Sequence, residues 1–178
     1  MTSTETNQSK NKKRIKFVVF NGIIAALYVV LTYFLAPISY GPVQARVSEV
    51  LTIFPIFSAA TIPGVALGCF ISNIINPENF GPVDIICGTL ATVIAGICSY
   101  LIGKKNKWLG IIPVILANGL IVGSYLPFFL VDSASEVTVQ TILFSMLSVA
   151  AGETAVLVVL GLPMVALIKN TGLKNKLP

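Results

Sequence analysis

From residue 17 to residue 168 the chain alternates long apolar runs with short breaks rich in Pro, Gly and Asn. A helix needs roughly 20 apolar residues to cross a bilayer, and the runs fit six spans. The first covers 17–36 and ends at Pro37; the second, 46–60, carries Pro55 in its interior; the third, 63–76, opens on Pro63 and exits at Pro77. The fourth covers 83–103, the fifth 108–131 and the sixth 139–168. Spans two and three are too short to cross upright at about 1.5 Å per residue. They either use a few residues beyond these bounds or stop short of one face and leave a cavity. Span six exceeds what a bilayer requires, so it tilts or projects, and Pro163 is placed to bend its inner end.

The runs are too long and too evenly apolar for the alternation of a membrane barrel, and open strands are not tolerated in lipid. The fold class predicted is all-α: a polytopic membrane protein, a six-helix bundle occupying 17–169. It is flanked by a polar, basic, disordered tail at 1–16 and a short tail at 170–178. The first apolar run is long enough to span, so the N-terminus is not read as a cleavable signal peptide.

Composition agrees: 55% of residues are hydrophobic and 11% charged, where soluble domains carry about 25% charged residues. The distribution of charge adds orientation. Lys10, Lys12, Lys13, Arg14 and Lys16 precede span one, Lys104, Lys105 and Lys107 follow span four, and Lys169, Lys174 and Lys176 follow span six. Six spans put all three clusters on one side, which the positive-inside rule makes cytoplasmic. The opposite loops hold Glu78, Asp132 and Glu136, read as solvated. The net charge of +5 thus reflects membrane flanks and not nucleic-acid binding.

Small residues four apart let helices approach closely in lipid. Gly64 and Gly68, Gly119 and Gly123, and the series Gly88, Thr92, Gly96 have this spacing and are read as intramolecular packing. Gly22 and Ala26 share it on span one, where packing within the chain and contact with another protein remain open. Cys69, Cys87 and Cys98 have no metal-like spacing and read as small buried apolar residues.

Several chemistries are missing. The chain has no His and no GxxxxGK[ST] phosphate loop, and no Ser stands beside a plausible base. It is read as a non-enzyme with no cofactor and no metal. What remains is a set of polar groups within apolar helices. Arg46 and Glu49 share a face at the outer end of span two, close enough to pair with each other. Asn73 and Asn76 share a face near the outer end of span three. Asp84 opens span four. Asn118 and Tyr125, seven residues apart, share a face of span five. Glu153 lies about 14 residues into span six, roughly 20 Å along the helix, near the bilayer middle. A carboxylate at that depth costs about 2.5–3.5 kcal/mol on insertion scales, so it needs a partner, a cavity or a proton. A hydrogen bond to Asn118 is the structural alternative to a functional role. Together these groups converge on the outer half of the bundle, as a pocket for a polar ligand gripped by one or two carboxylates.

The segment YGPVQARVSEVLTI at 40–53, the following FPIFSAATIPGVALGCFISNII, and the later runs DIICGTLATVIAG, ILANGLIVG and AAGETAVLVVLGLP resemble the QueT family, over nearly the whole chain from 17 to 169. The resemblance implies a substrate-binding S component of an energy-coupling factor (ECF) transporter in the bacterial plasma membrane. It implies capture, at the outer face, of a queuosine precursor: queuine or preQ1, both 7-deazaguanines. It implies docking on a shared module of the coupling protein EcfT and two cytoplasmic ATPases, which use the ATP. Gly22 and Ala26 become the expected contact with the coupling protein, and the loop 38–45 the expected gate. For such a ligand Glu153 or Glu49 would take the N1–H and N2–H₂ donors, and Asn118, Asn73 or Arg46 would serve O6. Asp84 would meet the cationic substituent and Tyr125 would stack on the ring. Two alternatives stay open: an S component for another vitamin or nucleobase, and an autonomous ion-coupled transporter.

Overall fold

A computed structural model describes residues 3–39, 45–75, 81–130 and 137–178. Most of the expected gate at 38–45 lies outside them, as do Asn76, Glu78, Asp132 and Glu136. The described residues are helical with no strand. The main elements are α1 (Ser3–Phe34), α2 (Val47–Phe57), α3 (Ala59–Ile74), α4 (Gly81–Lys105), α5 (Trp108–Tyr125) and α6 (Val139–Asn170), with short turns at Ala36–Ser39, Pro127–Leu130 and Leu173–Lys176.

Four of these helices, α1, α4, α5 and α6, are long and apolar enough to cross a membrane; α2 and α3 are apolar but shorter. Where six spans are expected, four helices have the length to cross and the second and third apolar runs form shorter ones. The reason lies in local chemistry. Pro55 lies within α2, Ser58 is extended at φ −149°, ψ 120° and separates α2 from α3, and Pro63 occupies the first turn of the helix that follows.

The basic segment before residue 17, expected as a disordered tail, is the beginning of α1. It holds no Gly or Pro, and extending a helix already nucleated by the apolar run costs little. α6, at 32 residues, is about 48 Å long at 1.5 Å per residue, as its apolar pattern predicts. Ahead of Pro163 it opens into a π turn, Leu157–Gly161, which absorbs the crowding a proline imposes on the preceding turn.

The packing is that of a protein in lipid. Phe144, Leu147 and Val159 on α6 are more than 60% exposed, whereas Glu153 on the same helix is buried. Apolar layers fill the centre: Ile53, Ile56, Val114, Leu157 and Val165 in one cluster, and Ile24, Tyr28, Leu51, Val65 and Cys69 in another.

Close helix contacts are made through glycine. A Cβ at Gly64 would stand 2.7 Å from Asn21 Oδ1, and one at Gly68 would stand 2.6 Å from Tyr28 Cβ, so α3 lies directly on α1. A Cβ at Gly123 would stand 2.5 Å from the Met146 Cα, which seats α5 on α6. The intramolecular reading of these small-residue pairs holds. Gly22 differs: a Cβ there would meet nothing within 4 Å among the described residues, and Ala26 is exposed too.

The broken joint between α2 and α3 is stitched by side chains, because hydrocarbon supplies no water for its freed backbone groups. Asn21 of α1 donates to the Ala60 carbonyl at 2.9 Å and accepts from the Gly64 amide at 2.6 Å. Thr61 Oγ1 donates to the Ser58 carbonyl at 2.8 Å. Lys107 Nζ reaches the Ile56 carbonyl at 2.8 Å; partial burial lowers its pKa, and the nearby Lys174 charge adds to the shift. The C-terminal segment folds over the same end: Lys16 Nζ donates to the Leu177 carbonyl at 3.0 Å, and Ser58 Oγ to that of Pro178 at 2.6 Å.

Candidate ligand-binding site

The residues that open α2 turn as a 3₁₀ helix, Val47–Thr52, with Arg46 at its N-cap. With three residues per turn, side chains at i and i+3 eclipse, which sets Arg46 and Glu49 side by side. The first turn of this short helix lies inside the bundle, so both are buried, at 5% and 1% exposure. Glu49 Oε1 accepts from the hydroxyl of Tyr28 on α1. Arg46 Nη1 donates to Asn73 Oδ1 on α3 at 3.3 Å and lies 4.0 Å from Cys69 Sγ.

Asn73 carries the network onward. Its Nδ2 donates to the backbone carbonyl of Asp84 at 3.0 Å, and the Asp84 carboxylate accepts from the Tyr125 hydroxyl at 2.6 Å. The Tyr125 ring packs edge-on against Phe129 at 6.3 Å between centroids. On the other flank Asn118 Nδ2 donates to Glu153 Oε1 at 3.2 Å. Asn118 also lies beside Glu49, and the two glutamates are close enough for their charges to act on each other.

Arg46, Glu49, Asn73, Asp84, Asn118, Tyr125 and Glu153 are therefore brought into one polar cluster from α2, α3, α4, α5 and α6. All but Tyr125 are buried. The bond between Glu153 and Asn118 is the one considered as a structural alternative, but it uses only one carboxylate oxygen. Glu49 Oε2, Asp84 Oδ2 and Glu153 Oε2 are all buried without a hydrogen-bond partner among the described residues. Buried acceptors are ordinarily satisfied, and these three stand in one cluster. Gly22 and Ala26 lie outside the cluster, on the exposed face of α1.

The backbone that aims these groups is irregular in two helices that supply them. A π turn begins at Asp84 in α4 (Asp84–Gly88), and another begins at Asn118 in α5 (Asn118–Val122). The two turns pack against each other. The seven-residue spacing of Asn118 and Tyr125 suggests a plain helical face. The extra residue of the π turn shifts that register, and Asn118 faces Glu153 while Tyr125 faces Asp84.

Sequence reasoning missed Tyr28, which is fully buried and bonded to Glu49, and Thr32, whose hydroxyl meets Ser48 Oγ at 2.6 Å. A signal existed: Asn21, Tyr28 and Thr32 recur at spacings of seven and four, a polar stripe on an apolar span. Cys69, read as a small apolar residue, is indeed buried, but it lines the cluster beside Arg46.

A family model described as "QueT transporter" matches residues 18–170. The chain is also 44% identical, over 85 residues, to the curated "Queuosine precursor transporter QueT" of Lactococcus lactis subsp. cremoris (strain MG1363). That match covers 47% of this chain and 48% of the relative, so the chain spans about half the length of the curated relative it matches. No solved structure matches.

Proposed function

The chain belongs to the QueT transporter family, and from that premise we propose that it is the substrate-binding S component of an ECF transporter that imports a queuosine precursor. The relative's name supplies the ligand class, and the site's chemistry is compatible with it. A 7-deazaguanine presents N1–H and N2–H₂ donors beside an O6 acceptor. The observation that carries the reading is the set of three buried carboxylates, each with one unpartnered oxygen. Glu49 and Glu153 flank Asn118 and take the two donors of the guanine-like edge; Asn118 or Arg46 serves O6.

In this reading the bundle has six membrane helices, with both termini and the Lys-rich ends in the cytoplasm. α1 presents Gly22 and Ala26 to the coupling protein: no described residue packs on the Gly22 position, and small residues at this spacing favour helix contact in lipid. The two ATPases supply the energy, as this chain has no phosphate loop.

Calorimetry on the detergent-purified protein tests the ligand. Queuine or preQ1 is expected to bind with riboflavin and biotin silent. Glu153→Gln keeps the shape but replaces an acceptor-only group with an amide, and is expected to abolish tight binding. Unchanged binding by that variant would make Glu153 a packing residue and move the site elsewhere.

A further inference from the structure

The border between the basic and the apolar parts of α1 falls between Lys16 and Phe17. Lys13, Lys16 and Phe17 stand three and four residues apart and so share a face of the helix; Arg14 and Val18 share the face beside it. Lys16 Nζ spends one of its three donors on the Leu177 carbonyl at 3.0 Å, a bond that holds the ammonium in place and leaves two donors. Lys16 lines a cavity of about 430 Å³ together with Lys13, Phe17, Leu177 and Pro178. A second cavity, of about 460 Å³, shares Lys13 and Phe17 and adds Arg14 and Val18. Both have the size of small-molecule pockets, which span about 300–1,000 Å³.

Charge and depth narrow what fits there. Among the described residues the carboxylates are Glu5, Glu49, Asp84 and Glu153. The last three lie in the polar cluster, and Glu5 is eight residues before Lys13, about 12 Å farther along the helix. The cations of the cavity walls therefore call for a negative charge from outside the chain. The depth is that of a membrane surface. Tyr100 and Trp108, at the same Lys-rich end of the bundle, carry Lys104 Nζ and Lys169 Nζ at 4.4 and 5.9 Å from their ring centroids, and such rings lie at headgroup level. Beyond the cavities, toward the hydrocarbon, Val18, Val19 and Ile23 are all more than half exposed, an apolar track for acyl chains.

We propose that these cavities bind an anionic phospholipid from the leaflet at the Lys-rich end: Lys13, Arg14 and Lys16 take the phosphate, and Phe17 and Val18 begin the path of the acyl chains. Basic pockets beside membrane helices suit such headgroups. An acidic patch on another protein would answer the charges alone, whereas a phospholipid also covers the apolar residues next to them. The site is separate from the polar cluster and holds whichever ligand that cluster takes.

Melting midpoints of the full chain in neutral detergent, titrated with dioctanoyl phosphatidylglycerol, dioctanoyl phosphatidylcholine or inorganic phosphate, test this, because a ligand of the native state raises the midpoint as it saturates. Phosphatidylglycerol is expected to raise it, with phosphatidylcholine and inorganic phosphate without effect. One basic residue beside an anionic surface is worth about fivefold in affinity, so Lys13→Gln with Arg14→Gln should weaken the lipid about thirtyfold. Both side chains are exposed, and the pair leaves the bond from Lys16 to Leu177 intact. Lys10→Gln with Lys12→Gln removes the same charge from the same helix outside the cavities and should leave the affinity unchanged. Equal losses in the two double variants would overturn the site in favour of diffuse charge attraction. A shift with inorganic phosphate as large as that with phosphatidylglycerol would overturn the lipid assignment. No shift with either lipid would overturn it too, and leave these cations to an acidic partner.

Discussion

Tyr28 shows what single side chains do in this protein. Its hydroxyl holds one oxygen of Glu49 inside the bundle, where a bare carboxylate oxygen has no water to turn to. Tyr28→Phe keeps the ring and removes the donor, and stranding a buried polar atom costs about 1–3 kcal/mol. The variant is expected to melt earlier in detergent than the wild type. An unchanged midpoint would mean that Glu49 finds another donor. The same reasoning separates Glu153 from Tyr28. Glu153→Gln can keep its bond with Asn118 through the amide oxygen, so it is expected to lose ligand while keeping most of its thermal stability.

Among elements, glycines separate contacts made within the chain from contacts left for others. Gly68 touches Tyr28 and Ala25 of α1, and Gly123 touches the backbone of Met146 on α6. An added methyl at either forces helices apart, and overpacking typically costs about 1–3 kcal/mol. Gly68→Ala and Gly123→Ala should both lower the melting midpoint, Gly123→Ala more, because backbone yields less than a side chain. Gly22→Leu, facing open space, should leave the midpoint of the isolated protein unchanged. If α1 docks on a coupling protein, the same substitution should reduce the amount of that protein recovered with it from membranes. Equal recovery would move the partner surface off this face of α1.

For the whole molecule the question is orientation and assembly. The Lys-rich ends of α1, α4 and α6 are tied to the α2–α3 joint by Lys16, Lys107 and Ser58, so they form one end of the bundle. If that end is cytoplasmic, single cysteines introduced as Lys10→Cys, Asn106→Cys or Asn175→Cys should resist a membrane-impermeant maleimide in intact cells and react after lysis. Labelling in intact cells would invert the topology and place the ligand site on the wrong side for uptake.

The helical class, the four long spans and the shortness of the second and third were legible in the residues alone. Long apolar runs leave lipid-bound backbone no other solution, and a carboxylate or guanidinium within such a run can only turn inward. Arg46, Glu49, Asn73, Asp84, Asn118 and Glu153 were legible for that reason. The helix start at Ser3 was not, because polar residues with ordinary helix propensity carry no periodic signal. Nor were the π turns at Asp84 and Asn118, or the inward turn of Tyr28. Each depends on which helix lies alongside and on where a side chain from another segment covers a freed carbonyl. Those are distances between residues far apart in the chain, and only the packed bundle sets them.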